Sequence, residues 1–113
     1  YLWSINSPSH HKSQHRKISE MAEKYPEINF IGINIDIGET SAWQNALQKY
    51  KYEQENEYQL STIKIRENEI GSEVFTSYLN KLLFLDASGT VVIGDAYLNS
   101  PEFESRILEF LNL

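Results

Sequence analysis

A chain of 113 residues, 41% of them hydrophobic, is long enough for one domain with its own core. Its formal charge of −6 argues against nucleic acid as a partner, because phosphate backbones need a net basic surface. No apolar run approaches the ~20 residues of a membrane span, and the lack of any cysteine excludes disulfides, thiolate catalysis and cysteine-ligated metal while leaving the redox compartment open.

The chain opens on "YLW", which reads as the end of a strand whose start lies further upstream. The expectation is therefore that residues 1–113 form a single domain, the C-terminal part of a longer protein, with any targeting segment preceding it. "SINSPSHHKSQH" follows: Pro8 suits the first residue of a helix, and Ser7 before it suits the N-cap. The helix is predicted to run to about Tyr25, with Ile18, Met21, Ala22 and Tyr25 on one apolar stripe and Pro26 as its stop.

"INFIGINIDI" is β-branched and apolar on both faces, the pattern of a central strand covered on each side. "ETSAWQNALQKY" predicts a second helix, capped by Thr40 or Ser41, with Trp43, Ala46, Leu47 and Tyr50 facing inward. The acidic "EQENE" run after it reads as a soluble connection. Between Tyr58 and Leu79 the pattern is weak: "YQLSTIKI" suits a short strand, and "RENEIGSEVFTSY" suits either a distorted helix or a turn leading into a strand. "KLLFLD" and "TVVIGD" then form a hairpin around Gly89. A final helix is expected with Ser100 as its cap and Pro101 at its first position, burying Phe103, Ile107, Phe110 and Leu111. Glu102 and Glu104 would favour the positive end of its dipole.

Three stretches, "YLWSINSPSHHK", "KYPEINFIGINID" and "NKLLFLDASGTVV", taken in this order with the final helix, resemble the thioredoxin-like domains of the TlpA type found in the bacterial envelope. The resemblance spans nearly the whole chain and implies an α/β thioredoxin-like fold, a central mixed β-sheet flanked by helices, with its first strand truncated at the N-terminus. It also implies a periplasmic or cell-envelope location. With Trp3 on the family's aromatic, Ser7 and His10 fall on the two cysteine positions; with Pro8 as the anchor, Asn6 and Ser9 fall there instead. The family's cis-proline falls on Asn80, and cis bonds before non-proline residues are rare. Both halves of the family's redox site are thus missing. A serine hydroxyl at a helix N-terminus remains too basic to replace a thiolate.

The expected function is a redox-inactive structural or protein-interaction module with no cofactor and no metal. Three other readings compete. Ser7 and His10 could form a weak hydrolase, although an orienting carboxylate is missing nearby in sequence. Cysteines of a partner could complete a redox site. His11 and His15, four apart on a helix, could hold a metal weakly, although Lys12, Arg16 and Lys17 would repel it. Lys12, Arg16, Lys17, His11 and His15 together would form a basic face suited to another protein or domain with an acidic surface; its plainer reading is a solvated helix face. Trp3 and Trp43 are expected in the core.

Overall fold

In the computed structural model, which describes residues 1–52, 54–61, 79 and 81–113, the architecture is α/β. Strand β1 (Leu2–Trp3) leads through a Ser-Pro turn into helix α1 (Pro8–Lys24). Strand β2 (Gly32–Asn34), helix α2 (Thr40–Lys49), a 3₁₀ turn (Gln54–Asn56) and strand β3 (Glu57–Gln59) follow. Strands β4 (Lys81–Leu85) and β5 (Val91–Tyr97) and helix α3 (Phe103–Leu111) complete the described chain.

Strands β1, β2 and β3 pair in parallel in that order, Leu2 opposite Ile33 and Ile33 opposite Tyr58. Each parallel step is bridged by a helix, as parallel pairing requires. Strands β4 and β5 form an antiparallel hairpin whose tight turn holds Gly89 at φ 84°, a backbone region that glycine occupies without steric cost. Parallel and antiparallel pairing are therefore both present. Among the described residues, however, they form two sheets and not the single mixed sheet expected.

The larger core packs Ile18 and Met21 of α1 and its C-cap Tyr25 against Phe84 and Ile93 of the hairpin and Phe103 and Ile107 of α3. This is the stripe that helical periodicity predicts. The smaller core joins Trp3, Ala46 and Leu47, with Trp43, Tyr50 and Tyr52 packed beside it. Tyr1 packs against both.

Several element ends depart from expectation. Ser7 occupies the N-cap of α1, but its side chain makes no capping hydrogen bond, and Glu39 precedes α2 in the same uncapped way. Helix α3 starts at Phe103, because Ser100–Glu102 forms a turn in which the Ser100 hydroxyl accepts the Glu102 N–H. Leu111 is exposed and not buried. Glu104 serves less as a dipole partner than as a tie to α1, pairing with Lys24 and accepting the Tyr25 hydroxyl. The Lys24 contact, followed by that hydroxyl, holds its carboxyl below the usual range. Residues 62–78 and Asn80 lie outside the described residues, and with them most of the Tyr58–Leu79 reading and the position matching the cis-proline. The strand expected from "YQLSTIKI" is described at Glu57–Gln59.

Candidate functional site

Extending the α1 stripe backwards at steps of three and four from Ile18 reaches His15, Gln14 and His11. All three are buried, His11 completely. Side chains three and four apart share a helix face, so the histidines follow the apolar stripe inward. They do not join Lys12 and Arg16, which remain exposed on the opposite side. The expected basic face thus divides. Lys12 lies over the Tyr50 ring, 5.0 Å from its centroid, and Lys49 approaches the same ring at 5.3 Å. Lys17, half-buried, contributes instead to the positive charge acting on Glu104.

Inside, His15 meets a carboxylate that the sequence reading placed in solvent. The His15 Nδ1 lies 2.7 Å from the His11 carbonyl oxygen, an atom that only accepts, so Nδ1 carries a proton. Its Nε2 lies 2.7 Å from Glu57 Oε1. The same oxygen accepts the Tyr1 hydroxyl at 2.6 Å, and Oε2 accepts the Trp3 indole N–H at 3.0 Å. With Nδ1 on the His11 carbonyl and Nε2 against Glu57, each polar atom of the two side chains has a partner. Such a pair persists in a core only when its remaining lone pairs are occupied, which Tyr1 and Trp3 accomplish here.

Gly32 makes room for this carboxylate. A Cβ on Gly32 would lie 2.4 Å from Glu57 Oε2 and 2.6 Å from Tyr1 Cζ. In β2, then, glycine is required for close approach of a side chain.

Tyr52 closes the group from the other side. Its ring stacks on His15, while its hydroxyl lies 2.6 Å from His11 Nδ1. Burial first, then the neighbouring Tyr50 and Glu57, holds this phenol well above the ordinary tyrosine range, so it stays protonated. Burial likewise lowers His11, reinforced by His15, Lys12 and His10 and opposed by Asp36. His11 is therefore neutral near pH 7, and its buried Nε2 has no hydrogen-bond partner among the described residues.

The positions expected to carry surface chemistry stand apart from this cluster. Ser7 is exposed and His10 half-exposed, and no hydrogen bond joins them. Asn6 and Ser9, the other pair of candidate positions, are exposed as well. Asp36, the carboxylate bound to the turn before α1, is already occupied: it accepts the Ser4 hydroxyl, the Ile5 N–H and an Asn34 amide N–H, each at 2.8 Å. Among the described residues, no hydrogen bond links Ser7 or His10 to a base or orienting acid of a triad. The nitrogens of His15 are both consumed, and among the described residues no group of three or more His, Cys, Asp or Glu side chains is placed to hold a metal ion.

Sequence reasoning missed Glu57, Tyr1, Tyr52 and Asp36. A readable signal existed for His11 and His15, the continuation of the apolar stripe. Glu57 offered none, since its acidic neighbours mask the one carboxylate that turns inward.

Compared with protein-family models, with curated proteins and with solved structures, the chain matches none of them. Among the described residues no helix is long and apolar enough to cross a membrane.

Proposed function

We propose that the chain is a thioredoxin-like domain of the TlpA type that carries out no thiol–disulfide exchange and serves as a structural or protein-interaction module of the bacterial envelope. The observation that carries this reading is the separation of polar groups at α1. Ser7 and His10, on the positions that match the two thiols, lie towards the surface with no hydrogen bond between them, while the ionisable side chains of His11, His15, Asp36 and Glu57 are buried. An active site exposes its reactive groups and orients them from behind; here the orienting groups face away. The order strand, helix, strand, helix, strand, hairpin, helix supports the fold assignment. The exposed Lys12, Arg16 and Lys49, which form no ion pair among the described residues, suit an acidic partner surface.

Two measurements test the reading. In a single mixed sheet, β4 must join the parallel strands, so backbone nuclear Overhauser effects between residues 2–3 and 81–85 are expected; their absence in the folded chain overturns the fold assignment. For the function, crosslinking of the full-length protein in its native envelope should yield a defined partner that is lost when Lys12, Arg16 and Lys49 are all changed to Glu. Retention of the same partner by that variant removes the basic surface from the proposal.

A further inference from the structure

Among the described residues, three phenols meet a side-chain base: Tyr1 at Glu57, Tyr25 at Glu104 and Tyr52 at the His11 imidazole. The two carboxylates are otherwise engaged. Glu57 Oε1 is shared with His15 Nε2, and Glu104 pairs with Lys24, which holds its carboxyl below the usual range. His11 Nδ1 faces Tyr52 alone, at 2.6 Å. The Tyr52 hydroxyl has no second partner among the described residues. Its proton is therefore assigned to the bond with Nδ1, and the ring proton of neutral His11 to Nε2.

This imidazole is kept at a cost. It is fully buried with Nε2 unpaired among the described residues, where an apolar ring of similar size would leave nothing unsatisfied. A buried polar group of that kind calls for an explanation, and a redox role is one. The surroundings fit such a role. The Tyr52 ring centroid lies 5.7 Å from that of Trp3 and 5.6 Å from that of Tyr50. Trp3 is fully buried, whereas Tyr50 is half-buried and opens the cluster to the surface. Neighbouring rings in contact lie well within the reach of electron tunnelling. A phenol, however, gives up an electron readily only when its proton leaves as well, because the oxidised phenol is a very strong acid.

We infer that Tyr52 is a one-electron redox residue, with His11 as the positioned base that takes its proton. A diffusing one-electron oxidant that reaches Tyr50, of the class of the carbonate or azide radical, gains the electron. The Tyr52 O–H bond breaks, an N–H bond forms at His11 Nδ1, and a neutral phenoxyl radical faces an imidazolium, which the Asp36 carboxylate favours. A one-electron reductant such as ascorbate restores the phenol as the proton returns. The Lys12 and Lys49 ammoniums over the Tyr50 ring oppose loss of an electron there, so the vacancy settles on Tyr52. The pair then acts as a sink for oxidising equivalents that would otherwise damage the buried Trp3. This activity needs no thiol and does not depend on the thioredoxin-like reading.

The test is pulse radiolysis of the full chain with azide radical, following tyrosyl absorbance and, after freeze-quenching, electron paramagnetic resonance. The expected result is loss of the long-lived tyrosyl signal in Tyr52→Phe, with Tyr58→Phe and Tyr97→Phe, at exposed phenols, within twofold of wild type. Fluorotyrosine at position 52 keeps ring and hydroxyl; it should add fluorine splitting to the signal and serves if Tyr52→Phe fails to fold. His11→Phe should slow radical formation by about 100-fold, the low end for a positioned base. Heavy water should slow it at least twofold in wild type. A signal that survives Tyr52→Phe, an unsplit signal from the fluorinated chain, a folded His11→Phe that reacts at the wild-type rate, or equal rates in light and heavy water each overturn the assignment.

Discussion

The His15 imidazole lies flat on the Tyr52 ring, centroids 3.6 Å apart and planes 4° from parallel, while its outer edge meets Glu57. Ring face and ring edge are thus held by two different elements, the segment after α2 and strand β3. The histidine links the small core to the parallel sheet.

Breaking the pair from the carboxylate side should therefore be costly. Glu57→Ala leaves the buried His15 ring and the Tyr1 and Trp3 donors without their acceptor, and each buried group left unsatisfied costs about 1–3 kcal/mol. Glu57→Gln keeps an acceptor for those donors and should cost less. Urea denaturation monitored by circular dichroism measures both; equal losses would refute the view that the acceptor oxygens carry the stabilisation.

Gly32→Ala should destabilise by about 1–3 kcal/mol, the usual range for overpacking, because its Cβ would enter the space of the Glu57 carboxylate. The double variant Gly32→Ala/Glu57→Ala should cost less than the sum of the two single changes, since alanine at 57 removes the clash. Additive losses in that double-mutant cycle would show that the two positions do not interfere.

Lys51, just beyond the end of α2, sits at φ 58°. Lys51→Gly should stabilise the chain by about 1 kcal/mol, the scale of left-handed strain at a non-glycine residue. For a domain of this size that raises Tm by about 4 °C. Lys51→Ala, which keeps the Cβ, should give no comparable gain. Calorimetry of the two variants side by side distinguishes backbone strain from loss of the charge.

Acid should weaken the fold through His11. Its value is lowered in the folded chain, chiefly by burial, so between the ordinary histidine value and that lowered one the unfolded chain binds more protons. Stability is then full above about pH 6.5 and falls as the pH drops below it. His11→Phe keeps a ring against Trp3 and Tyr50 but cannot titrate. Its Tm should vary less than wild type between pH 7 and pH 5, and an unchanged slope would assign the acid sensitivity elsewhere.

Much of this architecture is legible in the residues alone. Pro8 and Pro26 bracket α1, the Ile18–Tyr25 stripe marks its buried face, and Gly89 marks the hairpin turn, because each signal acts locally. The tight polar cluster is harder to read. Glu57 turns inward through tertiary pairing, with Tyr1, Trp3 and His15 as polar partners that compensate a burial an isolated acidic stretch would refuse. The histidines were misplaced for a different reason: residue type outweighed position. Two imidazoles beside lysine and arginine suggest a solvated face, yet their spacing continues the apolar stripe. The start of α3 shifted because Ser100 and Pro101 serve a turn as readily as a helix cap.

Asp36 fixes the segment before α1 through the Ser4 hydroxyl and the Ile5 N–H, with Asn34 bracing it from β2. No side chain between Asn6 and His10 takes part in that anchorage. The helix start is shaped from beneath, and its outward residues are ornaments on a frame that does not need them. Mutation can erase or install reactive groups there with little penalty in folding, so in this corner of the molecule shape and surface chemistry vary independently.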